Sequence, residues 1–137
     1  MTAAAPRYDL DAPPPKDVHK LRAHEIWGGN GPTTGSIMVP GFEAWLHARP
    51  YAGSNAGGDL RFVSTCAAGQ IVRFTIADLT GHGDEASEFA ARLRSLIRKH
   101  MNMPNPTRFV QALNIEMSSL PQHERMATAI VQTVSSV

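Results

Sequence analysis

The longest regular pattern of apolar residues lies between residues 84 and 103. Apolar side chains recur at steps of three and four residues, which places them on one face of an α-helix: Ala86, Phe89, Ala90, Leu93, Leu96, Ile97 and Met101. Acidic residues lie in the first turns of this segment and basic residues in the later turns, as the helix dipole favours. The pattern predicts an amphipathic helix that begins after Gly83 and is stopped by Pro104.

Four further segments have the pattern of β-strands. In FEAWLHARP, which starts at Phe42, the Phe, Ala and Leu positions alternate with Glu, Trp and His. RFVSTCAA and QIVRFTIADL are two β-rich runs, and the short AAGQ connection with Gly69 indicates that they pair as an antiparallel hairpin. The last apolar run, MATAIVQTV, is predicted to be a strand as well.

A second helix is predicted from Pro106-Thr107 to Pro121. Its apolar positions follow the same spacing: Phe109, Val110, Leu113 and Met117. The order of elements is then strand, hairpin, two helices and strand. This order predicts an α+β fold in which both helices pack on one face of an antiparallel sheet.

The first 40 residues are predicted to lack regular structure. Residues 1–16 contain four prolines and few side chains that could pack, which is typical of a flexible leader. Residues 17–41 combine a short helix-like stretch with glycine-rich turns, and no lysine follows these glycines as a nucleotide-binding P-loop requires. The predicted division is a leader and surface loop at 1–40 and a folded domain at 41–137.

Composition narrows the class of protein. The 137 residues suffice for one domain, and 13 basic against 12 acidic residues give no electrostatic argument for a nucleic-acid or membrane partner. The single cysteine, Cys66, can form neither a disulfide framework nor a multi-cysteine zinc site. No signal peptide and no apolar stretch of about 20 residues is recognised. We therefore expect a cytoplasmic protein.

Two aspartates are the strongest candidates for chemistry. Asp59 follows Gly57-Gly58 at the start of one hairpin strand, and Asp78 lies at the end of its partner. Alone, each is typical of a turn or a helix cap. An antiparallel hairpin brings these strand ends together, so the carboxylates would repel each other unless a cation lay between them. Hard oxygen ligands with room for water suit Mg²⁺ or Mn²⁺, and metal-bound water is a nucleophile.

The motifs AGGDL, ADLTGHG and MATAIV, with the amphipathic helix before the last, resemble the SpoIIE/RsbU-like branch of the PP2C-type (PPM) metal-dependent serine/threonine phosphatases. The resemblance covers roughly residues 40 to 135. It implies the N-terminal part of an α-β-β-α sandwich with a site for two Mg²⁺ or Mn²⁺ ions. It also implies a phosphoserine or phosphothreonine protein as substrate, in bacterial partner-switching or stress signalling, where an anti-sigma-factor antagonist is typical.

Carried onto this chain, the resemblance assigns roles to individual residues. Asp78 would bridge two metal ions, Asp59 would bind one of them partly through water, and the backbone carbonyl of Leu79 would add a ligand. His82 would donate a proton to the leaving alcohol, or else only cap the following helix or face solvent. Arg49 is a candidate phosphate clamp because of its planar charged fork, but a solvent-exposed arginine at a strand end is the favoured interpretation.

The chain also departs from the family pattern. Leu79-Thr80 replaces a common Val-Ser, Leu60-Arg61 stands where an aromatic residue is common, and Met126 replaces Phe. No aspartate follows Asp84, whereas the family completes its metal site with later aspartates.

Two functions therefore stay open for this sequence. The first is a metal-dependent phosphatase with an incomplete site. The second is a non-catalytic regulatory or dimerisation module. Under either function a half sandwich would expose apolar sheet surface, which favours pairing with another copy as a homo-oligomer, or aggregation. A third idea, anion binding at the helix that follows Gly83, is opposed by the acidic residues of its first turns.

Overall fold

The computed structural model describes residues 18–50, 56–79, 84–119 and 127–135. Within these ranges the chain forms seven strands and two helices, in this order: β1 (Val18–Lys20), β2 (Ile26–Gly29), β3 (Thr33–Val39), β4 (Phe42–Ala48), β5 (Asp59–Thr65), β6 (Ile71–Leu79), α1 (Asp84–His100), α2 (Pro106–Ser118) and β7 (Ala127–Ser135).

The strands form two sheets. The outer sheet has the order β1-β3-β4, in which β1 is parallel to β3 and β3 forms an antiparallel hairpin with β4. The central sheet has the order β2-β5-β6-β7, and all its neighbouring strands are antiparallel. The predicted hairpin between β5 and β6 is therefore confirmed, and β7 pairs along the other side of β6.

Each face of the central sheet packs against a different layer, because side chains alternate along its strands. Leu60, Phe62, Ala77 and Leu79 share one apolar cluster with the two helices. On the opposite face, Val63 and Val72 pack with Leu21, Ile37 and Val39, of which the last two lie on β3. The layers are thus helices, central sheet and outer sheet. This confirms the α+β class and is consistent with part of the predicted PP2C-like sandwich.

The helices form where the apolar periodicity predicts them. In α1 the predicted stripe is buried at Ala86, Ala90, Leu93, Leu96 and Ile97. In α2 the Asn105 side chain accepts a hydrogen bond from the Arg108 backbone N–H at 3.0 Å, and Pro106 occupies the first turn, where its missing N–H costs nothing. Neither of these helices, which are the two in the described ranges, is long and apolar enough to cross a membrane.

The loop predicted for residues 17–41 is wrong in its described part, because β1, β2 and β3 lie there. Residues 1–16 lie outside the described ranges. Ordered structure begins before Phe42, since β3 pairs with β4 from Val39↔Phe42 onward. Two glycines of the predicted loop, Gly28 and Gly29, belong to β2. A Cβ added at Gly28 would lie 2.0 Å from the Arg61 carbonyl oxygen, and the φ of Gly28 is +119°. Only glycine allows this close approach of β2 to β5.

Glu116 on α2 links the two helices through hydrogen bonds from Lys99 and His100 at the end of α1. These contacts hold the pKa of Glu116 below its ordinary value near 4.5, and the hydrogen bond from His100 has the largest effect. A lowered folded-state pKa gives stability that is present above the unfolded value and is lost as pH falls through the folded value. We therefore expect Glu116→Gln to be less stable than the native chain at pH 7 and equally stable once the carboxyl is protonated.

Urea denaturation of both proteins at pH 7 and at several values below pH 4.5 measures this difference. Glu43→Gln is the matched control, because Glu43 is an exposed carboxylate on β4, and its effect should be small at every pH. A difference between Glu116→Gln and the native chain that persists unchanged at the lowest pH would contradict the ion-pair explanation.

Candidate functional site

Asp59 and Asp78 face each other across the β5–β6 hairpin. The register pairs the Cα of Asp59 with that of Asp78, so both side chains leave the same face of the central sheet. That face is the one turned toward the outer sheet, because Asp59 alternates in phase with Val63. Both aspartates are exposed. The structure thus brings together the two carboxylates that the hairpin predicts to meet.

The two aspartates line a cleft of about 380 Å³. The cleft lies where β2, β4 and β6 end and β5 begins, so several chain segments meet around it. Its walls are formed by Asn30, Gly31, Ala48, Arg49, Pro50, Gly57, Gly58, Asp59, Arg61, Asp78 and Leu79. Both sheets contribute to it, since β4 belongs to the outer sheet and β5 and β6 belong to the central sheet.

The glycine pair before Asp59 is held by backbone and amide hydrogen bonds. Gly57 N–H donates to the Asn30 carbonyl oxygen at 2.9 Å, and the Asn30 side-chain amide donates back to the Gly57 carbonyl oxygen at 3.2 Å. Leu79 N–H donates to the Gly58 carbonyl oxygen at 2.8 Å. The Asn30 amide also donates to Ser87 Oγ on α1 at 3.3 Å. These contacts fix the start of β5 relative to β6 and α1.

Arg61 is the cleft residue that sequence reasoning missed. It lies on β5 two residues after Asp59, on the same face of the strand, and its side chain is only 7% exposed. Its Nη2 donates to the Gly31 carbonyl oxygen and to Thr33 Oγ1. Burial lowers the pKa of the guanidinium, and the nearby Asp59 carboxylate acts in the opposite direction. In the sequence Arg61 stands out only as a departure from an aromatic residue.

The other predicted site residues have different outcomes. Arg49 lies at the exposed end of β4 and lines the cleft, a position that fits either of its two interpretations. Leu79 buries its side chain on the helix side of the sheet while it borders the cleft, and the ligand role of its carbonyl stays a prediction. His82 lies in residues 80–83, outside the described ranges, so its role as proton donor also stays a prediction.

The described donors suit a hard divalent cation. The two facing carboxylates offer oxygen ligands, which Mg²⁺ and Mn²⁺ prefer over softer nitrogen or sulfur donors. In the described ranges, no group of three or more His, Cys, Asp and Glu residues could hold a metal ion. An ion between Asp59 and Asp78 would thus fill most of its coordination shell with water or with other oxygen donors, as Mg²⁺ commonly does.

A protein-family model described as Stage II sporulation protein E (SpoIIE) matches residues 68–136. These residues are just over half of the 137-residue chain. The match includes Asp78 and the segment from β6 to β7, and it begins nine positions after Asp59. Comparison with curated proteins and with solved structures found no match.

Proposed function

The chain belongs to the SpoIIE family, and on this premise we propose that it is part of a Mg²⁺- or Mn²⁺-dependent protein phosphatase. Membership of this family indicates a PP2C-type, phosphatase-related domain and, in general terms, a phosphoprotein substrate. The observation that carries the finer proposal is the direct pairing of Asp59 with Asp78 at the wall of a cleft. The proposed substrates are phosphoserine or phosphothreonine proteins of bacterial signalling in the cytoplasm, such as an anti-sigma-factor antagonist.

In this proposal the two carboxylates hold the metal ions and the glycine loop keeps them in place. The Asp59 and Asp78 carboxylates and the Leu79 backbone carbonyl would hold these ions. When bound, the ions supply the positive charge that polarises a phosphoryl group and activates water. Gly57 and Gly58 hold the start of β5 through the bonds to Asn30 and Leu79, which keeps the carboxylates opposed. His82 is the proposed proton donor to the leaving alcohol.

The experiment that tests this proposal is a calorimetric titration with Mn²⁺, combined with hydrolysis of p-nitrophenyl phosphate in the same buffer. We expect saturable Mn²⁺ binding and Mn²⁺-dependent turnover that excess chelator abolishes. Binding without turnover would support the metal site but not catalysis by this chain, which has no aspartate after Asp84 to complete a two-metal site. Absence of both binding and turnover would count against the phosphatase proposal.

A specific observation supports the alternative function, a regulatory or dimerisation module. Ile76 and Ile130 are paired across β6 and β7, and their side chains are 56% and 71% exposed. β7 is the last strand of the central sheet in the described ranges, and it carries no charged residue that would discourage edge pairing. If sedimentation shows a dimer and the Mn²⁺ experiment is negative, the module is the better description.

A further inference from the structure

Arg61 is a buried cation whose described hydrogen-bond acceptors are both neutral. Its two hydrogen-bond acceptors are a backbone carbonyl and a hydroxyl, those of Gly31 and Thr33. Its Nε–H is buried and has no acceptor among the described residues, and the ion pairs found there do not include it. A buried N–H without an acceptor costs free energy, and the nearby Asp59 carboxylate forms no ion pair with the guanidinium. Arg61 therefore has unused capacity to bind an anion.

Arg73, on the neighbouring strand β6, shows that burial in this sheet does not by itself leave an arginine unpartnered. Arg73 is 1% exposed, and each of its three guanidinium nitrogens donates a hydrogen bond. The acceptors are Thr133 Oγ1 and the carbonyl oxygens of Met101, Met103 and Pro104. Every guanidinium nitrogen of Arg73 thus donates within the fold, whereas Arg61 keeps an unpaired Nε–H and lines the cleft.

The position of Arg61 relative to the aspartates suits a phosphate group. Two residues along a strand correspond to about 7 Å between the Cα atoms of Asp59 and Arg61. A divalent ion on the carboxylates and a phosphate group bound to that ion can together span this distance. The two neutral hydrogen bonds already hold the guanidinium in place, so an anion that binds there pays little further ordering entropy.

We propose that Arg61 is a phosphate-binding residue, whose guanidinium donates to a non-bridging oxygen of the phosphate monoester held in the cleft. This proposal rests on the phosphatase function proposed above, because that function supplies the metal ion and the substrate class. The planar guanidinium suits the geometry of phosphate oxygens better than an ammonium group does. Arg61 then places the phosphoryl group over the two carboxylate ligands.

The experiment measures the binding of inorganic phosphate by calorimetry in the presence of Mg²⁺, at constant ionic strength. We expect Arg61→Met to weaken phosphate binding roughly 10- to 100-fold, as expected for loss of a hydrogen bond to a charged group. Arg61→Lys should lie between the native chain and Arg61→Met. Arg92→Gln is the matched control, because Arg92 is an exposed arginine on α1 that does not line the cleft, and it should bind phosphate normally.

Two controls separate a binding role from a structural one. The affinity for Mg²⁺ alone, measured on the same samples, should change little in Arg61→Met, because the two carboxylates remain. If Arg61→Met does not fold, Arg61→Lys still tests the proposal, since it keeps the charge but lacks the planar guanidinium. Native phosphate affinity in either folded variant, or no phosphate binding by the native chain, would overturn the proposal.

The two proposals can fail separately. If Mg²⁺ binds and the Arg61 substitutions leave the phosphate affinity unchanged, the proposed role of Arg61 is wrong and the metal site stands. If phosphate binds through Arg61 while Asp59 and Asp78 bind no metal ion, the anion site stands and the phosphatase proposal fails.

Discussion

Asp78→Asn is expected to reduce the affinity of the chain for Mn²⁺ at least about 100-fold, because loss of a supporting residue alone commonly costs 10- to 100-fold and Asp78 is a proposed ligand. The same substitution should stabilise the metal-free protein by roughly 0.2–1 kcal/mol, since like charges directly opposite each other on paired strands repel. Asp59 and Asp78 are such a pair. The two effects have opposite signs, and a purely structural aspartate would not produce both.

Thermal unfolding with and without Mn²⁺ measures both effects. The native chain should gain stability with Mn²⁺, by about 2.7 kcal/mol at a concentration 100 times the Kd, and Asp78→Asn should gain almost none. Glu88→Gln is the control, because Glu88 is an exposed carboxylate on α1 away from the cleft, and it should keep the Mn²⁺ response. A full Mn²⁺ response in Asp78→Asn would show that the ion binds elsewhere.

Short-range patterns were sufficient to predict the parts of the fold that position the aspartates. The apolar stripe of α1 repeats with the helical period, and the predicted core positions, such as Leu93 and Ile97, are buried. The short turn at Gly69 sets the register of β5 against β6. Asp59 and Asp78 therefore face each other as a direct consequence of turn length and strand period.

The rest of the cleft depends on contacts between distant segments, which single-sequence patterns do not encode. β1 and β2 are only three and four residues long, too short for a recognisable alternation. Gly28 looks like a turn residue in the sequence, but it lies in β2, where the close approach of β5 leaves no room for a side chain. The roles of Asn30 and Arg61 arise from hydrogen bonds to partners about 30 positions away in the chain. Such pairings exist only once both sheets have formed.

Arg73→Met is expected to lower the free energy of unfolding by roughly 1–3 kcal/mol, because the buried Met101 carbonyl is left without a donor and the part-buried Met103 and Pro104 carbonyls must be hydrated instead. The Arg73 guanidinium donates hydrogen bonds to three carbonyls in the connection between α1 and α2, and its Cζ lies 4.2 Å from the centre of the Phe109 ring. Burial of the cation lowers the pKa of Arg73, so its removal also relieves a cost. This relief keeps the expected loss below the sum over three acceptors.

Urea denaturation followed by helical circular dichroism measures the loss, and Arg61→Met is the informative comparison. Both substitutions remove a buried arginine from the same sheet, but Arg61 has only two neutral acceptors and an unpaired Nε–H. Its loss should change stability by no more than about 1 kcal/mol, because Gly31 and Thr33 are only half-buried and water can replace the guanidinium at both acceptors. Arg73→Lys should be intermediate, because it keeps a charge near the C-terminal end of α1. Equal effects of Arg73→Met and Arg61→Met would contradict the distinction between a structural arginine and one available to an anion.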